Sequence, residues 1–457
     1  MVHAPLHAFA NEHRRVSELE FEQIRGDALN LGVCCIVADC LAAKLSKALK
    51  IRRNLQKDMF KSWPAGGSRL KRTFHLYVSV FVASLGLGTY VYFIPVFAQT
   101  LGASFLDLGF IGSANSISYA IAPMLIGYFA DRLNRAWLFA LSIAINAMAT
   151  ICLVPAKSVG DVVLIRLIGG VGYGLFWPTS EVLVTDLTSA NTRVREMGVY
   201  GVAWASGFLI GPTIGGAIIQ NLGFTMLFFI STALVSLALL PSFFWLIPQY
   251  RRSTSAVEGF SGNLSTIRRL LPWYVMTSCY GTIFGVTVAI LPGYANSINI
   301  VPAMIGSLFT AFGISRILSF SMSERYLRFG EKKALSIVSA VLVVSLGVLA
   351  GFPSYLGFLV SMIMIGGCFG VIFPITISLI SRHFPQERLG AAVGSYEAMF
   401  AVGFTVGPLL GGAIAAVNVS LAFFTTSFFA IAMLILVRIG HTHAGAAIKV
   451  AQNAEVE

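Results

Sequence analysis

The chain has 457 residues, of which 56% are hydrophobic and only 11% charged, with a net charge of +12 and a mean hydropathy of +0.79. Soluble domains average about 25% charged residues, so this chain lacks the polar side chains to cover a water-facing surface. That excludes a cytosolic enzyme, a secreted disulfide scaffold and a disordered protein. Nor does the positive charge point to nucleic acid, because it is concentrated at one end. Residues 1–72 hold 13 Lys/Arg and 7 Asp/Glu, whereas residues 73–440 hold only 18 and 11.

In the polar head, Leu29, Val33, Ile36, Val37, Cys40, Leu41, Leu45 and Leu49 form a loose helical stripe, followed by Lys47, Lys50, Arg52 and Arg53. Such a stripe suits the anionic face of a bilayer, although Lys44 interrupts it. Two readings stay open: a cytoplasmic tail, or a product that starts at Met59 and keeps 399 residues and every span. The head has no short apolar run of the signal-peptide kind. Cys34, Cys35 and Cys40 have no second ligand group at zinc spacing, and Cys152, Cys279 and Cys368 sit apart in apolar runs as small hydrophobes. No metal and no other cofactor is expected.

About 20 apolar residues cross about 30 Å of hydrocarbon. Twelve segments qualify, at 74–99, 106–130, 136–155, 162–185, 197–219, 224–247, 272–296, 303–323, 334–352, 355–380, 391–416 and 419–438. Backbone groups in lipid must pair within the segment, so the spans are helices. With both termini in the cytoplasm, 29 Lys/Arg face inward and only Lys157 faces outward. That asymmetry predicts a multi-pass protein of the plasma membrane with both ends cytoplasmic.

The spans repeat. At an offset of 197, Gly88, Pro95, Ala98 and Gly109 match Gly285, Pro292, Ala295 and Gly306, and at 196, Gly174 and Pro178 match Gly370 and Pro374. Six spans per half is an even number, so the halves are parallel repeats, with substrate sites expected between them near the midplane. The expected division is a tail over 1–72, a six-helix bundle over 73–247, an Arg/Ser/Gly-rich linker over 248–270, a second bundle over 271–440 and a tail over 441–457.

The second span ends Gly127-Tyr-Phe-Ala-Asp131-Arg132-Leu-Asn-Arg135. A carboxylate at a helix C-terminus opposes the helix dipole and needs a cation or another helix N-terminus. Gly127, one turn earlier, admits a neighbouring helix, so the segment reads as a latch at the cytoplasmic rim. With G-x-x-x-D-R-x-x-R in this place, residues 73–440 resemble the major facilitator superfamily. The resemblance implies an all-α polytopic membrane protein of 12 transmembrane helices in two parallel six-helix repeats. It also implies a cytoplasmic gating role for Gly127, Asp131, Arg132 and Arg135. In the degenerate second copy, Ser323-Glu324-Arg325, it extends that role to Glu324 and Arg325.

The fourth span carries Arg166-Leu-Ile-Gly-Gly-Val-Gly172-Tyr-Gly174. Arginine in a membrane is costly and marks function; the resemblance implies an influence on proton transfer. The alternative is an arginine near the outer interface, reaching up to water. In the fifth span, Gly207-x-x-x-Gly211-Pro212-x-x-Gly215-Gly216 makes a smooth ridge with a kink, and the pattern recurs at Gly403-x-x-x-Gly407-Pro408-x-x-Gly411-Gly412. The family associates the motif with antiporters. Its presence in both halves reads more economically as a hinge and packing seam, which does not fix direction.

Of the acids, Asp107 and Asp161 lie at outer span ends and Asp186 at an inner end, where Arg193 or Arg195 can pair with it. Only Glu181 and Glu397 lie clearly within spans. Glu181 stands about 22 Å down one helix from Arg166, too far to pair along it. A carboxyl removed from water suits a group that loads and unloads protons, so Arg166, Glu181, Arg316 and Glu397 are the coupling candidates. The alternative for the acids is a rim residue paired with a nearby arginine. The first span has no acid, where many proton-coupled members of the family carry one. Family geometry offers Tyr92, Phe93, Asn115, Tyr119, Trp177, Trp204, Tyr280 and Phe373 as cavity residues, an aromatic lining suited to an amphipathic or apolar solute.

The expected function is secondary transport of a small organic solute by alternating access, with proton-coupled export of amphipathic compounds leading. Uptake by symport and facilitated diffusion are the alternatives. The expected partners are a small-molecule substrate, protons and the lipid bilayer, with no nucleic acid, and the chain works as a monomer. The seven His all lie outside apolar cores and no Walker-type phosphate loop occurs, which disfavours a membrane enzyme and an ATP-driven pump. A transporter-like sensor without flux is the remaining rival.

Overall fold

A computed structural model of the chain describes residues 69–130, 134–188, 192–249, 264–382 and 389–454. The chain divides into two compact units, Met1–Gly67 and Ser68–Glu457. The first, with its apolar stripe and three cysteines, lies outside the described residues, and the fold below is that of the second.

Among the described residues every regular element is helical. α1 runs from Arg69 to Thr100, but Val91–Phe93 tighten into a 3-10 turn. Pro95 causes this, since it has no N–H to give and crowds the carbonyl of Val91. α2 is Phe105–Ala130, α3 Arg135–Cys152 and α4 Val159–Leu187. α3 ends three residues before the sequence predicts, because Pro155 follows and the chain turns at Val154. Asn134 caps α3 through Ala136 N at 2.9 Å. Ser158 and Asp161 form a capping box at the start of α4. Ser354 caps α10 in the corresponding place of the second half.

α5 (193–222) and α6 (224–249) would be one rod but for Gly223, at φ 79° and ψ 178°. Only glycine adopts that conformation without strain. The contacts show that the chain reverses there. α5 runs parallel to α1, with Gly207 on Ser84 and Gly215 on Thr89. α6 runs antiparallel to it, with Phe228 on Phe97 and Ser242 on Ser79.

The second half comprises α7 (Leu264–Ser297), α8 (Pro302–Ser321), α9 (Glu331–Gly351), α10 (Tyr355–Ser381), α11 (Leu389–Ala415) and α12 (Val419–Ala454). α7 thus begins inside the stretch read as linker, and α12 continues well past residue 438. Ten helical stretches are long and apolar enough to cross a bilayer, and one of them, Arg195–Leu246, holds both α5 and α6. With α2, whose 26 residues extend about 39 Å, the described residues make twelve crossings. Large apolar side chains such as Trp137, Leu164, Phe244, Leu356 and Phe428 face outward, as lipid requires and water would not tolerate.

The glycine ridges bind each half and then join the two. In α5, Gly207, Gly211 and Gly215 lie against Ser84, Gly88 and Thr89 of α1; in α11, Gly403, Gly407 and Gly411 lie against Ser278, Thr282 and Val286 of α7. The remaining glycine of each ridge crosses to the other half, Gly216 onto Pro302 and Ala303 of α8, and Gly412 onto Phe105 and Gly109 of α2. A Cβ at Gly211 would stand 2.6 Å from the Gly88 carbonyl carbon, and one at Gly407 2.5 Å from the Thr282 oxygen. These seams therefore exist only because no side chain occupies them.

At one end of the bundle the halves are also clasped by hydrogen bonds. Gln99 Nε2 donates to Gly293 O at 3.1 Å, and Asn296 Nδ2 donates to Gln99 Oε1 at 2.9 Å. Deeper in, Ser113 Oγ donates to Thr405 O at 2.7 Å and Thr310 Oγ1 to Leu209 O at 3.0 Å. Tyr92 stacks on Phe309 with centroids 4.2 Å apart.

Candidate functional site

Three of the four charged side chains within the spans converge between the halves. Glu397 of α11 lies within electrostatic reach of Arg316 on α8, the Tyr119 hydroxyl on α2 and Glu181 on α4. Arg316 stands over the Trp204 ring, 5.9 Å from its centroid, a cation–π contact that holds the guanidinium at the interface. Tyr280 and Tyr396 also feel both Arg316 and Glu397. Beside Glu181, the Tyr200 hydroxyl shares a hydrogen bond with Ser180 at 2.8 Å.

The walls are aromatic. Trp177 meets Trp204 edge-on at 5.7 Å, Phe373 meets Tyr396 at 5.5 Å, and Phe284, Phe400 and Phe404 form a stack. Of the other cavity residues named from the sequence, Phe93 is fully buried beneath Gly215, and Asn115 is occupied in the seam between α2 and α4, donating to Arg166 O at 3.3 Å. Tyr280 packs among Phe369 and Phe400, and Tyr92 against Phe309.

Chemically, the site holds two carboxyls, one from each half, and one guanidinium. With both acids ionised it is one positive charge short, a deficit that one proton or another single cation would balance. Aromatic faces around it favour a flat, apolar cation.

Arg166 does not join this cluster. It is 9% exposed, so it is buried rather than reaching to water at the interface. It lies near Tyr90 and Tyr173.

At the opposite end from Gln99, Arg135 makes a bidentate pair with Asp186, Nη1 to the two oxygens at 2.9 and 2.7 Å, tying the start of α3 to the end of α4. Of the loop arginines expected near Asp186, the side chain of Arg193 lies outside the described residues and Arg195 is exposed. Of the remaining gate residues, Asp131 and Arg132 lie outside the described residues, as do the surroundings of Gly127 and the side chain of Glu324; Arg325 is exposed. The second half repeats the tie with its charges exchanged, Arg382 Nη1 donating to Glu331 Oε2 at 3.1 Å. Both partners are shifted by the 196 residues that relate the halves. Because the fold already accepts both polarities, Arg135→Glu alone is expected to lower thermal stability by about 2–4 kcal/mol. Arg135→Glu combined with Asp186→Arg should recover at least half of that loss in a thermal unfolding assay, and a double variant no better than the single one contradicts the equivalence.

The offset of 197 carries Gln99 onto Asn296, so the two ends of the repeat bond each other. Gln99→Leu should loosen that end, seen as faster modification of a cysteine placed at Val91, and unchanged labelling would deny the clasp its role.

A family model described as Major Facilitator Superfamily matches residues 76–281 and again residues 273–452. The chain belongs to the major facilitator superfamily. Its two matches fall on the two halves, and like the superfamily's other members it is a multi-pass membrane transporter. The Quinolone resistance protein NorA of Staphylococcus aureus (strain N315) is 24% identical over 388 residues, covering 82% of this chain and 97% of NorA. Multidrug resistance protein 2 of Bacillus subtilis (strain 168) is also 24% identical, over 77% of this chain and 90% of its own. Among solved structures, the nucleoside transporter NupG matches with TM-score 0.67 at 16% identity, over 81% of this chain and 98% of its own. A bacterial homologue of the human lysosomal transporter Spinster matches with TM-score 0.63 at 12% identity, over 83% and 97%. These likenesses show the superfamily fold.

Proposed function

We propose that this transporter exports amphipathic cations in exchange for protons. The observation that carries the proposal is that Glu181 and Glu397, one from each half, lie within electrostatic reach of each other, with Arg316 near Glu397 and aromatic walls around them. The names of the similar proteins, a quinolone resistance protein and a multidrug resistance protein, support the same substrate class.

The 29-to-1 bias of Lys/Arg supports an orientation with the Arg135 end and both termini in the cytoplasm of a plasma-membrane protein. The Gln99 clasp then closes the outer side, and the carboxyl pair faces inward. A substrate cation arriving from the cytoplasm takes the place of the proton and completes the charge balance. The glycine seams rock as rigid units, the outer clasp parts, and a proton from outside displaces the cation. In this scheme the bundles over 73–247 and 271–440 form the working machine as a monomer, and Gly127, Asp131, Arg132, Arg135, Glu324 and Arg325 gate the inner side.

The subtype is tested with a permanently charged quaternary ammonium dye in proteoliposomes whose membrane potential is clamped. Antiport accumulates the dye on the acidic side, symport accumulates it on the alkaline side, and facilitated diffusion leaves it level. Either of the last two outcomes overturns the proposal.

A further inference from the structure

Arg166 sits at the edge of a cavity of about 30 Å³, walled by Val91, Ile94, Leu108 and Ile111 of the first half and by Val288 and Phe404 of the second. That volume suits one or two atoms of water size and no drug-sized molecule. The guanidinium is buried, and its Nε has no hydrogen-bond partner. No carboxylate pairs with it among the described residues. The groups that flank it electrostatically are the hydroxyls of Tyr90 and Tyr173, and the Tyr173 oxygen is likewise buried without a partner.

A buried cation flanked only by neutral tyrosine hydroxyls and hydrocarbon lacks a counter-charge among the described residues. A guanidinium offers five N–H donors and no acceptor, and leaving it uncompensated away from water costs several kcal/mol. A carboxylate-bearing solute would need more room than the cavity gives, and a cation is repelled. We infer that Arg166 and the cavity beneath the Gln99 clasp form a binding site for a compact monovalent anion of halide size.

The location gives the anion a role. Both halves contribute walls, and the cavity lies next to Gly112, Gly285 and Pro408, where α2, α7 and α11 meet. Parting the clasp would separate Phe404 and Val288 from Ile94 and Ile111 and dismantle the site. An anion bound there favours the conformation closed at this end, by the difference in its affinity for the two states. It is neither the transported solute nor a member of the carboxyl cluster.

The test is thermal unfolding of the purified full chain in detergent, at a constant ionic strength of about 0.15 M, as gluconate is replaced by chloride or bromide. The wild type should show a saturable rise in Tm of roughly 1–3 °C with either halide. Arg166→Gln should abolish the rise. Arg166→Lys, which keeps the charge and loses the fork, should weaken half-saturation by roughly tenfold and decides the matter if the glutamine variant does not fold. Crystals grown in bromide should give an anomalous peak in hydrogen-bond contact with the Arg166 guanidinium. No halide dependence in the wild type, the same dependence in the folded Arg166 variants, or a rise seen with acetate alone overturns the inference. None of these readouts depends on transport, so the site stands or falls apart from the proposed exchange.

Discussion

Gly403→Ala is expected to cost about 1–3 kcal/mol of stability and to stop transport, although it adds one methyl group to a helix that alanine otherwise favours. The new Cβ would occupy the position of the Ser278 carbonyl on α7. Backbone cannot yield as a flexible side chain does, so α11 must lift away from α7, and Gly407 and Gly411 lose their contacts with it. The control is on the same helix. Gly394 has nothing within 4 Å of its would-be Cβ, so Gly394→Ala should be neutral or stabilising by about 0.5–1 kcal/mol. The first half supplies a matching pair in Gly207, which lies on Ser84 and Leu85, and Gly198, which faces open space. Thermal unfolding of the four variants, followed by flux in proteoliposomes, measures the contrast. Equal effects at Gly403 and Gly394 would show that the seam is not what holds α11 to α7.

Removing the Glu397 carboxyl should have the second large effect. In Glu397→Gln the site keeps one acid and one guanidinium and is balanced without a proton or a cation. Accumulation driven by a pH gradient should fall at least roughly tenfold, the change that about 1.4 kcal/mol of lost coupling produces. Exchange of labelled for unlabelled substrate across equal pH should fall less, since the aromatic walls and Arg316 remain. Glu181→Gln should behave alike, because the deficit belongs to the pair rather than to either residue. If both variants keep gradient-driven transport intact, the pair does not couple protons to substrate.

Much of the fold was legible because bilayers impose length and composition. The spans, the repeat offset and the glycine ridges all follow from hydrocarbon thickness and from helices that must touch. What spacing along one chain does not reveal is which helices become neighbours. Asp186 bonds Arg135, 51 residues away, because α3 returns alongside α4. Glu181 and Glu397 come within electrostatic reach from opposite halves, and each looked alone in its own span. For Arg166 the sequence left an interfacial position open as the alternative to a buried one. Its position early in α4 suggested water nearby, but the clasp between α1 and α7 lays protein over that end. The charge-exchanged tie of Glu331 and Arg382 was present in the offset all along, yet a repeat search keyed on identical residues passes over a reversal of sign.

The exchange of a proton for a substrate cation is tested most directly by watching the proton itself. Wild-type proteoliposomes, loaded with a pH-sensitive dye and clamped at zero membrane potential, are given a transported amphipathic cation from outside at equal pH. The account predicts that cation entry drives protons out, so the interior turns alkaline in proportion to the cation taken up. Uptake of the cation with no change of interior pH would contradict it.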